Sequence, residues 1–167
     1  MKRIKGSEGV ALIECVNPGL NKWRVRWDVQ ANTATDDNSD AEGVNYMEEE
    51  FLYKPSFPEI KELITKWFNQ SIDNNILSGF TWNNYQVWLS TENQFNYKAA
   101  YDLAVQNDGA TLPVTFKFGS DDEPVYHEFT TLDDIKDFYI KSVMFVQGVL
   151  KQGWTEKDNF DFTPYLE

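Results

Sequence analysis

Apolar and polar residues alternate cleanly from Lys22 to Gln30, with Trp23, Val25, Trp27 and Val29 on one side and Arg24, Arg26, Asp28 and Gln30 on the other. Period two over this length predicts a half-buried antiparallel strand. An apolar run from Gly9 to Val16, closed by Asn17-Pro18-Gly19, predicts a strand before it, and Val44 to Tyr53 predicts one after it. The period then changes. Ile60, Leu63, Ile64, Trp67 and Phe68 recur at three and four, which predicts an amphipathic helix from Ser56 to about Asn74. Ser56 and Glu59 have capping-box spacing, and Pro58 fits the first turn, where its missing amide costs nothing.

Two short apolar runs flank Asn83-Asn84, and asparagine tolerates the positive φ of a two-residue hairpin turn. That turn would pair Phe80 with Val87 and Trp82 with Tyr85 on one face, leaving Gly79 opposite Trp88 on the other. Thr91 and Gln94 have capping-box spacing for a second helix to about Gln106, with Phe95, Ala99, Leu103 and Ala104 as its buried stripe. Thr111–Phe118 and Pro124–Phe129 predict a second hairpin. Thr130 to Asp134 caps a third helix ending near Gly153-Trp154, its core stripe being Leu132, Ile135, Phe138, Tyr139, Val143, Val146 and Leu150. Hairpins and helices in separate runs point to an α+β fold. The expected organisation is a small N-terminal antiparallel β meander over 1–54, an α-ββ-α-ββ-α unit over 55–154, and a polar tail over 155–167 that drapes on the surface.

Composition narrows the function. The 167 residues are 41% hydrophobic and 16% aromatic, enough for a core rich in rings. A net charge of −12 argues against nucleic acid or an anionic membrane surface as partner. No stretch reaches the roughly 18 apolar residues of a membrane span. The N-terminal MKRIKGSEG lacks the apolar segment of a secretion signal, so folding in a cytoplasm is expected. The one cysteine, Cys15, lies in an apolar run and reads as a structural thiol.

Tests for chemistry return little. The one histidine, His127, has no Gly-x-Ser-x-Gly elbow to serve, and one His with one distant Cys makes no zinc pattern. Asp36, Asn38 and Asp40 have calcium-loop spacing, but Ala41 and Met47 stand where that loop needs Gly and Glu. Glu48 and Glu50 share a strand face without any sign of the unlike environments that an acid/base pair requires. The expectation is no catalytic residue, no cofactor and no metal. The aromatics are the remaining candidates. Trp23 and Trp27 could stack sugars or line a partner groove, although a core face explains them better because Val25 and Val29 share it. Trp88, opposite a glycine, is a candidate contact residue.

The strings Gly79-Phe80-Thr81-Trp82-Asn83-Asn84, Val87-Trp88-Leu89-Ser90, Glu92-Asn93-Gln94 and Asn96-Tyr97 together carry a likeness. The chain resembles a domain of unknown function common in tailed-phage and prophage genes, often attached to tail-fibre or tail-fibre-assembly proteins. Asn84 stands where that family usually has Gly, and both permit positive φ. The strings Val25–Gln30 and Gly43–Glu48 are similar to Bacteroides-type prophage relatives with a small β module before the same α+β unit. The resemblance implies a non-enzymatic virion component or assembly factor, acting in the particle or in the host cytoplasm during assembly. Its partners would be other phage structural proteins, with a homo-oligomer possible and no nucleic acid or membrane. A carbohydrate-binding module of a host-attachment apparatus is the alternative.

Overall fold

The computed structural model describes residues 1–32 and 43–166. The chain is α+β, with strands β1 (Lys2–Gly6), β2 (Ile13–Asn17), β3 (Lys22–Ala31) and β4 (Val44–Phe51), then helix α1 (Phe57–Ser78). Hairpin β5 (Phe80–Trp82) and β6 (Tyr85–Val87) leads to α2 (Thr91–Gln106), and hairpin β7 (Val114–Gly119) and β8 (Pro124–Phe129) leads to α3 (Leu132–Asp158). By contacts it divides into two compact units. The first is Met1–Lys66 with Phe160–Glu167, and the second is Trp67–Asn159.

In the first unit the sheet has four strands, all antiparallel, in the order β1-β4-β3-β2. The extra edge strand, β1, reads KRIKG, and its charges hide it from an apolar-period reading while blunting the sheet edge. β2 starts at Ile13, later than the apolar run that predicts it. The turn after it is capped by Asn17, whose side chain accepts from the Leu20 amide at 3.2 Å.

The alternation of β3 holds only as far as Trp27. Trp27 pairs with Met47 but Gln30 pairs with Asn45, so two residues of β3 face one of β4. This is a β-bulge, with Asp28 at φ 51°. Its carboxylate accepts from Arg3, and from Gln30 at 2.9 Å. The bulge reverses the phase of the strand, so Val29 is exposed instead of sharing the buried face of Val25 and Trp27. Tyr46, Ile60, Ile64 and Tyr165 are also buried in this unit. Tyr165 corrects the expectation of a draped tail. It is 3% exposed, and its hydroxyl donates to the Arg26 carbonyl at 2.8 Å.

In the second unit, both hairpins and the inner faces of α2 and α3 enclose one cluster of rings and aliphatics. The β5–β6 turn has Asn83 and Asn84 at φ 49° and 66°, and its register is Phe80↔Val87, Thr81↔Gln86, Trp82↔Tyr85, as the two-residue turn requires. Phe80, Trp82 and Val87 are buried, whereas Tyr85 is exposed. The cap of α2 is Ser90 and not Thr91: its hydroxyl accepts from the Asn93 amide at 3.2 Å, and Gln94 donates to the Leu89 carbonyl.

α1 and α3 both run past their predicted ends. Gly153 does not stop α3, because it lies against Ile72, where a Cβ would come within 2.2 Å of Cγ1 and 2.6 Å of Cδ1. Gly153→Ala sets a gain in helix propensity of about 1 kcal/mol against an overpacking cost of about 1–3 kcal/mol. The clash is expected to win. Ile72 is 6% exposed, and a β-branched chain on a helix has little rotamer freedom with which to yield. A net loss of about 1 kcal/mol in urea denaturation is the expected result, and it is expected to vanish when Gly153→Ala is added to an Ile72→Ala protein and compared with that protein; an unchanged midpoint for Gly153→Ala alone would refute the close-packing account.

Candidate interaction surface

The three tryptophans singled out by sequence have three different environments. Trp27 is fully enclosed, at 0% exposure, in a strand flanked on both sides, so as a contact candidate it is corrected to a core residue. Trp23, on the same strand, is half-buried. Its Nε1 donates to Asn21 at 2.9 Å, and the Lys54 ammonium lies 5.5 Å from its ring centre. Trp88 is 40% exposed, and its Nε1 donates to the Gly119 carbonyl at 3.1 Å, which fixes the ring on the surface.

The charged side chains of the four-stranded sheet pair with one another across strands. Arg26 is 4% exposed and Glu48 5%. Arg26 Nε donates to Glu48 at 2.7 Å, while its NH1 reaches Glu14 at 2.7 Å and the Ala11 carbonyl at 2.8 Å. Arg24 bridges Glu48 and Glu50, and Lys22 holds the other Glu50 oxygen at 2.8 Å. Burial opposes the Arg26 charge, yet the hydrogen bonds and charges of Glu48 and Glu14 outweigh it and raise its pKa above the ordinary value. Hydrogen bonds from Lys22 and then Arg24 lower that of Glu50. Glu48 and Glu50 do share a face, as strand geometry requires. What they do there is clamp cross-strand arginines.

His127 packs its ring against Trp82, Phe118 and Phe129, with centroids 4.9, 6.1 and 4.6 Å away. Cys15 is half-buried. Asp36, Asn38 and Asp40 lie outside the described residues, as does most of the acidic Ala31–Gly43 loop. Among the described residues no group of three or more His, Cys, Asp or Glu is placed to hold a metal, and no helix is long and apolar enough to cross a membrane.

The surface that stands out lies on α2 and α3. The two helices run antiparallel, with Tyr101 stacked on Tyr139 at 4.4 Å and Tyr97 against Phe138 at 5.0 Å. α2 buries Tyr97 and Ala104, with Ala100 partly buried. Burial of Tyr97 raises its pKa to about 12. This corrects the predicted stripe: Ala104 is buried as expected, but Phe95 is 71% exposed and Leu103 52%. On α3, Val143 is likewise exposed rather than buried, beside Ile140 and Met144. Phe95, Tyr139, Val143 and Val146 line an open groove of about 260 Å³, flanked by Gln94 and Lys98. Sequence reasoning placed Phe95 and Val143 in the core. The available signal was the doubled apolar period of α2, where Phe95, Ala99 and Leu103 form a second stripe beside Tyr97, Ala100 and Ala104.

A second recess, about 240 Å³, lies along the C-terminal half of α1 and is lined by Trp67, Phe68, Phe145 and Val149. No protein-family model matches the chain, and no curated protein or solved structure is significantly similar to it.

Proposed function

We propose that this chain is a non-enzymatic protein of tailed phages or prophages, a tail- or fibre-associated component or a fibre-assembly factor that works through protein–protein contacts. One observation carries the contact part of the reading. Phe95, Ile140, Val143 and Met144 leave 40–71% of their surface in water on adjacent helices, and contiguous apolar patches of several hundred Å² on soluble chains mark interaction sites. The phage context rests on the resemblance of Gly79–Tyr97 and its flanking strings to tail-fibre-associated domains. The net charge of −12 favours protein over nucleic acid or anionic lipid as partner. The chain would then work in the particle, or in the host cytoplasm while particles are built. The glycan-binding alternative is weaker by one residue, since Trp27 is enclosed and the half-exposed Trp88 already spends its indole N–H on Gly119.

The test is expression of the tagged chain with the tail genes of its own genome, followed by mass spectrometry of purified particles and of isolated fibre complexes. The chain is expected in one of the two, and Phe95→Asp is expected to reduce its recovery roughly tenfold, as loss of an aromatic anchor does. Absence from both would refute the phage assignment.

A further inference from the structure

We propose that the segment after α3, residues 160–166, is a clasp on the first unit: when it lets go, that unit opens while the second stays closed. The chain leaves the first unit at Lys66 and re-enters it at Phe160, so this unit is built from two stretches far apart in sequence. The long stretch, Met1–Lys66, has a size at which a single core is marginal. One large ring supplied from elsewhere is then a sizeable part of the core, since such a ring buries roughly 150–250 Å². Tyr165 is that ring, at 3% exposure.

The decisive geometry lies at the end of the β2–β3 ladder. Ile13 pairs with Val25, and the residue before it, Leu12, accepts from the Arg26 amide at 2.8 Å. In an antiparallel pair of this kind the two residues exchange both bonds. Leu12 lies outside β2, however, and the Arg26 carbonyl accepts from the Tyr165 hydroxyl at 2.8 Å, 139 residues away in sequence. The phenol stands where a strand amide would stand. Without it a buried carbonyl loses its partner, which costs more than the bond itself contributes. The loss falls on the residue whose side chain also holds Glu48, Glu14 and the Ala11 carbonyl.

The clasp has its own local structure, and side chains fasten it. Thr163–Tyr165 form a 3-10 turn with Pro164 in its first positions. The Asp161 carboxylate accepts from the Thr163 amide at 2.9 Å, and the Tyr165 and Leu166 amides donate to the Phe162 and Thr163 carbonyls. These amides are spent within the segment and add nothing to its hold on the sheet. Rings supply that hold. Phe162 meets Phe57, at the start of α1, edge-on at 6.2 Å, with the Lys61 ammonium 5.7 Å from the centre of the Phe162 ring. Phe160 packs against Phe162 and Tyr165 at 4.8 and 6.1 Å. Of the three rings Tyr165 is buried, whereas Phe160 and Phe162 are half-buried. A segment fastened chiefly through one buried ring can open as a piece, as the less stable elements of a fold do.

Hydrogen–deuterium exchange on the full chain, read by mass spectrometry, tests this with the second unit as internal reference. Tyr165→Ala is expected to speed exchange across β3, β4 and residues 57–66 by roughly tenfold or more, as loss of a buried ring does. Exchange in β7, β8 and α3 is expected to stay as in the unaltered chain. Tyr165→Phe keeps the ring and removes the hydroxyl, and is expected to speed the same first-unit amides roughly three- to tenfold. Leu166→Ala, at a side chain 61% exposed, is expected to alter neither unit. Faster exchange confined to residues 160–166 would overturn the proposal, because the sheet would then stay closed without its clasp. Equal acceleration in both units would overturn it as well. Should Tyr165→Ala not be recovered folded, Tyr165→Phe carries the same test, and sheet amides that exchange as in the unaltered chain would sink the idea.

Discussion

Replacing Arg26 with alanine is expected to destabilise the first unit by about 3–5 kcal/mol, because it strands a carboxylate that cannot reach water. Glu48 is 5% exposed and accepts from Arg26 Nε at 2.7 Å, with Arg24 at 3.5 Å as its other cation. Arg24 does not compensate, since it already holds Glu50 at 2.8 Å. The loss reaches beyond one pair. Arg26 NH1 also ties the Ala11 carbonyl and Glu14 to the sheet, and its guanidinium lies 5.5 Å from the ring centre of Tyr46. Glu14 is exposed enough to rehydrate, so the cost concentrates on Glu48. Urea denaturation followed by tryptophan fluorescence, with amide exchange along β3, checks the size and place of the effect. The decisive companion is Arg26→Met/Glu48→Leu, which removes both charges. It is expected to regain most of the loss, because an apolar pair avoids the desolvation that the ion pair must repay. A loss under about 1 kcal/mol for Arg26→Ala would mean that Glu48 finds water.

That network also shows where reading the chain succeeds and where it stops. The alternation of Trp23, Val25 and Trp27 with Arg24 and Arg26 was legible, since a strand with one wet face must place residues so. Which face stays dry was not. The arginine side is as enclosed as the tryptophan side at Arg26, because Glu48 and Glu14 satisfy its donors. The bulge at Asp28 left no apolar signal, and it alone moved Val29 from the buried face to the exposed one. The β5–β6 hairpin was legible down to register, because Asn83-Asn84 permits few turns and the turn fixes every pair.

The interaction surface was harder for a related reason. Residue type marks Trp23, Trp27 and Trp88 alike, yet exposure depends on what packs against each ring, and the three diverge. On α2 two apolar stripes compete for one core. Tyr97, Ala100 and Ala104 win because the two alanines let the helix approach the hairpin rings closely enough for Tyr97 to reach Phe116 at 4.6 Å. Phe95 is thereby turned outward. α3 runs on past Gly153, a residue that stops helices when it takes positive φ but here serves close packing against Ile72.

Phe138→Ala is expected to be the most damaging single change in the second unit, at about 3–5 kcal/mol, within the range for deleting a fully enclosed ring. Phe138 has no exposed surface, and its ring centre lies 5.0–5.4 Å from those of Tyr97, Trp82, Phe118 and Phe129. Phe80 and Phe116 follow at 6.3 and 6.0 Å. These neighbours come from both hairpins and from α2, so collapse around the hole needs all three to move together. Rings at these separations also interact through their quadrupoles beyond the area they bury. Trp82 is further held by its Nε1, which donates to Asp137 at 3.0 Å on the same helix as Phe138. It therefore cannot swing into the space without giving up that bond. Phe138→Leu keeps most of the volume and is expected to cost about half as much or less. Urea midpoints of the two variants provide the test. Equal losses would mean that ring-on-ring geometry dominates over volume, and a loss below about 1.5 kcal/mol for alanine would mean that the core is loose enough to refill.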